Sequence, residues 1–127
     1  MSIKKIVTGL TLSMLLGSGI ANADWEDVYY CQMTNFVEIT LEGKQTNYKL
    51  EKFQFKLDQT KNAMLFGSTG VFVDKVCKLK KGLNWPSQEV WYANDEYSTT
   101  YFDESKFLFA QIGYVGSRSI SADCDKF

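Results

Sequence analysis

The chain has 127 residues, 45% hydrophobic and 23% charged, with 14 basic against 15 acidic side chains, three cysteines, one proline and no histidine. The length fits one domain, and the apolar share and balanced charge exclude a disordered chain. Without histidine the chain lacks the commonest general base, the commonest metal ligand and the usual near-neutral proton switch.

The first segment reads as an address. Lys4 and Lys5 form a positive start, residues 6–20 carry no charge, and Ala21-Asn22-Ala23 has the small-x-small form of a cleavage site. This is the pattern of a secretory signal peptide over residues 1–23, cut between Ala23 and Asp24. A spanning helix needs about 20 mostly apolar residues. Here the run is shorter and is diluted by Thr8, Gly9, Thr11, Ser13, Gly17 and Ser18. The first cysteine, Cys31, lies away from the cut, and no twin arginine precedes the apolar run. Export to the periplasm or beyond by the general bacterial route is therefore expected, without a lipid anchor. Removing these 23 residues and their two lysines leaves 104 residues with 12 basic and 15 acidic side chains. A mildly acidic chain offers no electrostatic case for nucleic acid.

Alternation dominates the mature chain and predicts short strands. Trp25, Tyr29, Cys31 and Met33 share one parity, and Val37, Ile39 and Leu41 continue it before a turn at 42–44. Tyr48 and Leu50 take one parity and Phe53, Phe55 and Leu57 the other, which predicts a bulge near Glu51-Lys52 or a bend between two strands. A polar turn at 58–62 leads to a strand at 64–66 and the Gly67–Gly70 turn. Residues 71–79 read as the next strand, with Val71, Val73, Cys77 and Leu79 inward. A longer connection carries Asn84-Trp85-Pro86-Ser87 to a strand at 89–93 and an acidic turn at 94–96. Residues 99–102 and 106–111 form a hairpin through 103–105. Leu108, Ala110 and Ile112 share one parity; Ile120, Ala122 and Cys124 form the inward face of a last strand, with Ser119, Ser121 and Asp123 outward. About eight short strands, with no linker or repeat, predict a single all-β domain over 24–127, a small antiparallel barrel or sandwich. Helical alternatives exist within 34–41 and 59–65.

An exported chain is expected to form disulfides. Cys31 and Cys124 lie near the two ends of the mature chain, where the first and last strands of a closed sheet meet, and are the favoured pair. Closing a loop of that size is worth about 4–5 kcal/mol in the chain-entropy model. Cys31–Cys77 is the alternative. Otherwise Cys77 reads as a small buried hydrophobe, with Lys75 and Lys78 the nearby cations that would activate a thiol.

The aromatic excess, 15% of residues, supports either a packed core, a cavity for an apolar ligand, or rings exposed for stacking on a sugar or a partner. The candidate binding residues are Trp85, in its turn-like stretch, and Trp91 and Tyr92 on the following strand. Lys75, Lys78, Lys80 and Lys81 form a basic cluster, suited to an anion or to a guarded strand edge. The acidic pairs fall in turns without calcium-loop spacing, and Gly67–Gly70 lacks the lysine and helix of a phosphate loop. Neither metal nor cofactor is predicted, and a Ser or Cys nucleophile would lack its histidine, so catalysis is not expected. Phe127 resembles the aromatic end of outer-membrane barrels, yet Asp125, Asp123, Ser121 and Ser119 stand in step with it, so no membrane insertion is expected.

Tyr29-Tyr30-Cys31 on the first strand and Cys124 on the last resemble the periplasmic inhibitors of c-type lysozyme, which are small barrels. Those proteins present an inhibitory serine in a Ser-Gly-x-x-Tyr loop. Ser68-Thr69-Gly70-Val71-Phe72 departs from that motif, so the resemblance covers only the chain ends and carries over no site residue.

Two functions follow for a monomeric, non-catalytic exported module. A barrel holding a small apolar or aromatic ligand needs an interior cavity ringed by aromatics. An envelope protein-interaction or inhibitor module needs a filled core and an exposed aromatic or charged loop, with residues 84–87 the first candidate.

Overall fold

A computed structural model describes residues 23–80 and 90–127. The segment before Ala23 and the stretch containing Lys81 and Trp85 lie outside the described residues. Among the described residues nine strands form: β1 (Val28–Thr40), β2 (Gln45–Asn47), β3 (Lys52–Asp58), β4 (Ala63–Phe66), β5 (Val76–Lys80), β6 (Trp91–Asn94), β7 (Ser98–Asp103), β8 (Lys106–Gly113) and β9 (Gly116–Lys126). Every neighbouring pair is antiparallel, and β9 pairs back onto β1, so eight strands close into a barrel. β2 is a ninth strand added beside the outer half of β1. The helical alternatives are overturned. Residues 34–40 lie in β1, 63–65 lie in β4, and 59–62 form a turn. Apolar side chains at period two find cross-strand partners there, which outweighs any local helical preference.

β1 is the spine. It pairs with β9 along its length, with β3 through its first half and with β2 through its second. The register with β9 shifts between Met33 and Asn35, a bulge at Thr34. One extra residue flips the faces of everything beyond it. Tyr29, Cys31 and Met33 point inward, but after the bulge Phe36 is buried, while Ile39 and Leu41 are exposed. The expected continuation of the inward face through Val37, Ile39 and Leu41 is thereby corrected. At the next switch of parity the chain bends between β2 and β3, with no strand over 48–51.

The predicted strand over 71–79 shortens to β5. Residues 71–74 form a turn, with Gly70 and Asp74 in the left-handed region. Its backbone bonds close locally: Asp74 N–H donates to Gly67 O, and Lys75 N–H to Phe72 O. The Glu51 carboxylate also accepts from Val71 N–H at 3.1 Å. The turn buries Phe72 and leaves Val73 exposed, contrary to the expected inward Val73.

An eight-stranded barrel has an interior just wide enough for side chains to fill. Here rings fill it. Phe55 packs on Tyr29, Phe66 and Phe102, and Phe72 lies against Phe53, Phe66, Phe107 and Phe109. Each aromatic contact adds about 0.5–1.5 kcal/mol beyond simple burial. At one end a turn over 24–27 docks through Glu26 N–H to Leu57 O and a Lys126–Asp27 ion pair of 3.0 Å. Trp25 there meets Trp91 edge-on at 4.9 Å.

Cys31 and Cys124 stand opposite each other on β1 and β9 and form the disulfide that closes the barrel seam. Cys77 is free and buried, which removes the Cys31–Cys77 alternative. Burial pushes its thiol upward, against the hydrogen bond shared with Thr100 and the charge of Lys75. The Tyr29 hydroxyl is buried without a hydrogen-bond partner among the described residues, and burial pushes its pKa up to about 12.

Candidate functional site

Large apolar side chains gather unburied at the end of the barrel where β1, β6 and β8 finish. β8 and β9 meet in a tight hairpin whose two tip residues are Tyr114 and Val115, 92% and 69% exposed. Leu41, which donates its N–H to Val115 O, is 75% exposed, and Ile112 is 72% exposed. Gly116 makes this approach feasible. It has a positive φ, and a Cβ there would strike the carbonyl oxygen of Ile39. Burying side chains of this size would each be worth about 1.5–3 kcal/mol, so a cluster left in water is a candidate contact surface.

The β6–β7 turn forms the facing wall. Asp95 Oδ1 accepts from Tyr97 N–H at 2.9 Å, Ser98 N–H at 2.8 Å and Ser98 Oγ at 2.9 Å. Lys75 Nζ lies 3.6 Å from Asp95 Oδ2. Partial burial pushes the Asp95 carboxyl upward, but these hydrogen bonds and the lysine more than offset it and hold the group below its ordinary value. The turn so fixed presents Tyr97 outward, 54% exposed. Between this turn and β8 runs an open groove of about 850 Å³, lined among others by Asn94, Glu96, Tyr97, Thr99, Ile112 and Tyr114.

The groove opens onto an uncharged outer face. Cross-strand pairing places Tyr97, Ile112, Ser117 and Ile39 in one outward row. The next row is Thr99, Ala110, Ser119 and Val37, and the third is Tyr101, Leu108, Ser121 and Asn35. Tyr92 and Asn94 extend these rows onto β6. Charge returns beyond the third row, where Lys106 Nζ meets Asp123 Oδ1 at 2.6 Å, and on β5, where Lys80 stands opposite Tyr92.

Of the predicted binding residues, Trp85 lies outside the described residues. Trp91 and Tyr92 are neighbours on β6 and face opposite ways. Trp91 packs against the core and Trp25, whereas Tyr92 lies on the outer face and accepts from Asn94 Nδ2 at 3.0 Å. Of the lysine cluster, Lys81 lies outside the described residues, Lys75 reaches Asp95, and Lys78 and Lys80 share the outer face of β5, Lys78 donating to Lys61 O. Sequence reasoning missed Tyr97, Tyr114 and Leu41. A usable signal was Gly113-Tyr114-Val115-Gly116, two apolar residues between glycines where a tight turn must expose them.

Among the described residues, β5 and β6 pair through Leu79–Ala93 and Lys80–Tyr92. Beside that seam a crevice of about 170 Å³ reaches Cys77, Ala93, Ser98 and Thr100. It is smaller than the roughly 300–1,000 Å³ of typical ligand pockets. Among the described residues no group of three or more Cys, Asp or Glu side chains comes together as a metal site. Comparisons with protein-family models, with curated proteins and with solved structures find no match for this chain.

Proposed function

We propose that this protein is an exported, non-catalytic binding module that meets its ligand on the outside of the barrel, at the end carrying Tyr97, Ile112 and Tyr114. The contrast that carries the proposal is between an interior packed with rings and large apolar side chains left in water at one end. A small ligand would then lie in the outer groove and not within the barrel, where the sequence predicts an apolar or aromatic one. Export rests on the pattern of residues 1–23, and the Cys31–Cys124 disulfide suits an oxidising compartment. Outward lysines at 52, 56, 78 and 106 with inward phenylalanines reverse the pattern of a membrane-spanning barrel, which supports a water-exposed module.

The test is photo-crosslinking in the intact envelope, with p-benzoylphenylalanine placed at position 114 or, on the other side of the barrel, at position 65. A discrete adduct at 114 and none at 65 is expected. Equal labelling at both positions, or at neither, overturns the proposal.

The disulfide between the first and last strands of an eight-stranded barrel favours one second reading, an envelope inhibitor similar to those of c-type lysozyme. Phe72 is buried within the 67–75 loop, so the inhibitory segment would be the 113–116 hairpin. A c-type lysozyme should then lose activity with the mature protein and regain it with Tyr114→Ala. Undiminished activity at molar excess removes this reading.

A further inference from the structure

We propose that the groove between residues 94–99 and 110–114 binds a neutral oligosaccharide, with sugar rings stacked on Tyr97 and Tyr114. The proposal rests on the outer surface being the binding side and names the class of its ligand.

Size, rings, polar groups and charge each narrow that class. The volume of about 850 Å³ lies within the usual range for bound small molecules. Tyr97 and Tyr114 border the groove with exposed rings that pack on no other aromatic ring among the described residues. An aromatic face is electron-rich and apolar, and the C–H face of a pyranose is its natural complement. The hydrogen bonds within the Asp95 turn hold Tyr97 in place before binding, which lowers the entropy cost of association.

The polar lining suits hydroxyl groups. Asn94 Nδ2 is committed to Tyr92 and Thr99, which leaves its side-chain carbonyl as an acceptor. Thr99 adds a hydroxyl at the groove. A purely apolar ligand would desolvate these groups without replacing their hydrogen bonds, which opposes its binding.

Charge excludes acidic ligands. Lys75 is paired with Asp95, and Arg118 stands on the inward row beside Glu38 and over the Phe36 ring, so neither offers its charge to a phosphate or uronate in the outer groove. Glu96 would repel such a group, yet it can accept from sugar hydroxyls. The uncharged face gives a longer chain room to continue. Tyr101, with Tyr92 beside it, lies four residues along β7 from Tyr97, about 13 Å away at strand spacing.

The test starts with the labelled mature protein on a microarray of neutral and acidic oligosaccharides. Chitotetraose, cellotetraose and maltotetraose are then titrated to millimolar concentration against the amide NMR spectrum. Binding to neutral glycans is expected, with shifts confined to 94–99 and 110–114. Tyr97→Ala and Tyr114→Ala should each weaken binding at least ten-fold, while Tyr97→Phe keeps it, because stacking needs the ring and not the hydroxyl. Both positions are exposed, so unchanged thermal melting of the variants separates loss of binding from loss of fold. No glycan signal, preference for acidic glycans, or shifts outside the groove overturn the proposal. If glycans fail while an adduct still forms at position 114 with a protein, the saccharide is wrong and the outer binding surface stands. If both fail, both fall.

Discussion

The outer face over β3, β4 and β5 carries Lys52, Lys56, Asp58, Lys78 and Lys80, whereas the face over β7, β8, β9 and the outer half of β1 presents three rows without a charge. Both faces close the same barrel, and both turn phenylalanines inward: Phe53 and Phe55 on one side, Phe107 and Phe109 on the other. The difference is confined to side chains that the core does not need. Lys56 pairs with Glu26 at 2.9 Å, and Lys78 caps a turn carbonyl, as expected of a face that only meets water. An exposed face that keeps hydroxyls, amides, tyrosines and aliphatics, but no charge, avoids the desolvation cost that burying a charge would impose on a partner.

Opening the seam that joins these faces should have the largest effect. Replacing Cys31 and Cys124 by serine is expected to cost about 4–5 kcal/mol, read as a lower denaturation midpoint that melts both faces together. A loss below about 1 kcal/mol would mean that the β1–β9 ladder closes the barrel unaided. Next is a pair of aromatic truncations. Trp91→Ala should cost about 2–4 kcal/mol because it removes packing against the core and Trp25. Tyr114→Ala should change stability by no more than about 0.5 kcal/mol while weakening glycan binding at least ten-fold. Equal stability losses would erase the distinction between packed and presented rings.

Tyr29 sits in the core that both faces share. Unfolded tyrosine loses its proton near pH 10 and the folded group near 12. The folded state therefore binds more protons in that window, and stability should fall by about 2–3 kcal/mol as pH rises through it. Tyr29→Phe should abolish this alkaline slope and gain about 1 kcal/mol at neutral pH, because the unpartnered hydroxyl is removed. A slope that persists in the variant would assign it to other groups.

Smaller effects sharpen the contrast. Asp95 has a lowered carboxyl pKa, so its contribution is complete above the ordinary value of 3.8 and is lost as pH falls through the folded value. The group is half exposed, so Asp95→Asn should cost only about 0.5–1 kcal/mol at neutral pH, and urea titrations at pH 7 and pH 2 should converge with wild type at the lower pH. Ser119→Lys should leave stability within about 0.5 kcal/mol and still reduce ligand capture at position 114. Lys52→Ser on the other face should change neither. Equal effects of the two would remove the functional difference between the faces.

The strands were legible where alternation ran unbroken. Ile120, Ala122 and Cys124 are inward as their parity predicts, the 98–113 hairpin forms, and the first and last strands carry the disulfide. Those features depend on side chains two residues apart on one strand, and a linear chain displays that spacing directly. The bulge at Thr34 had no local mark, yet it reversed the faces of Val37 and Ile39. Phe72 read as an outward neighbour of Val71 and Val73, until a turn bonded to Glu51 carried it into the core. The candidate site was the least legible part. Tyr97, Ile112, Ser117 and Ile39 are scattered over nearly eighty residues, and only the registers of β7, β8, β9 and β1 bring them into one row. Strand type and inward parity are short-range properties of the chain; a surface row is a sum of pairing registers, which closure of the barrel sets all at once.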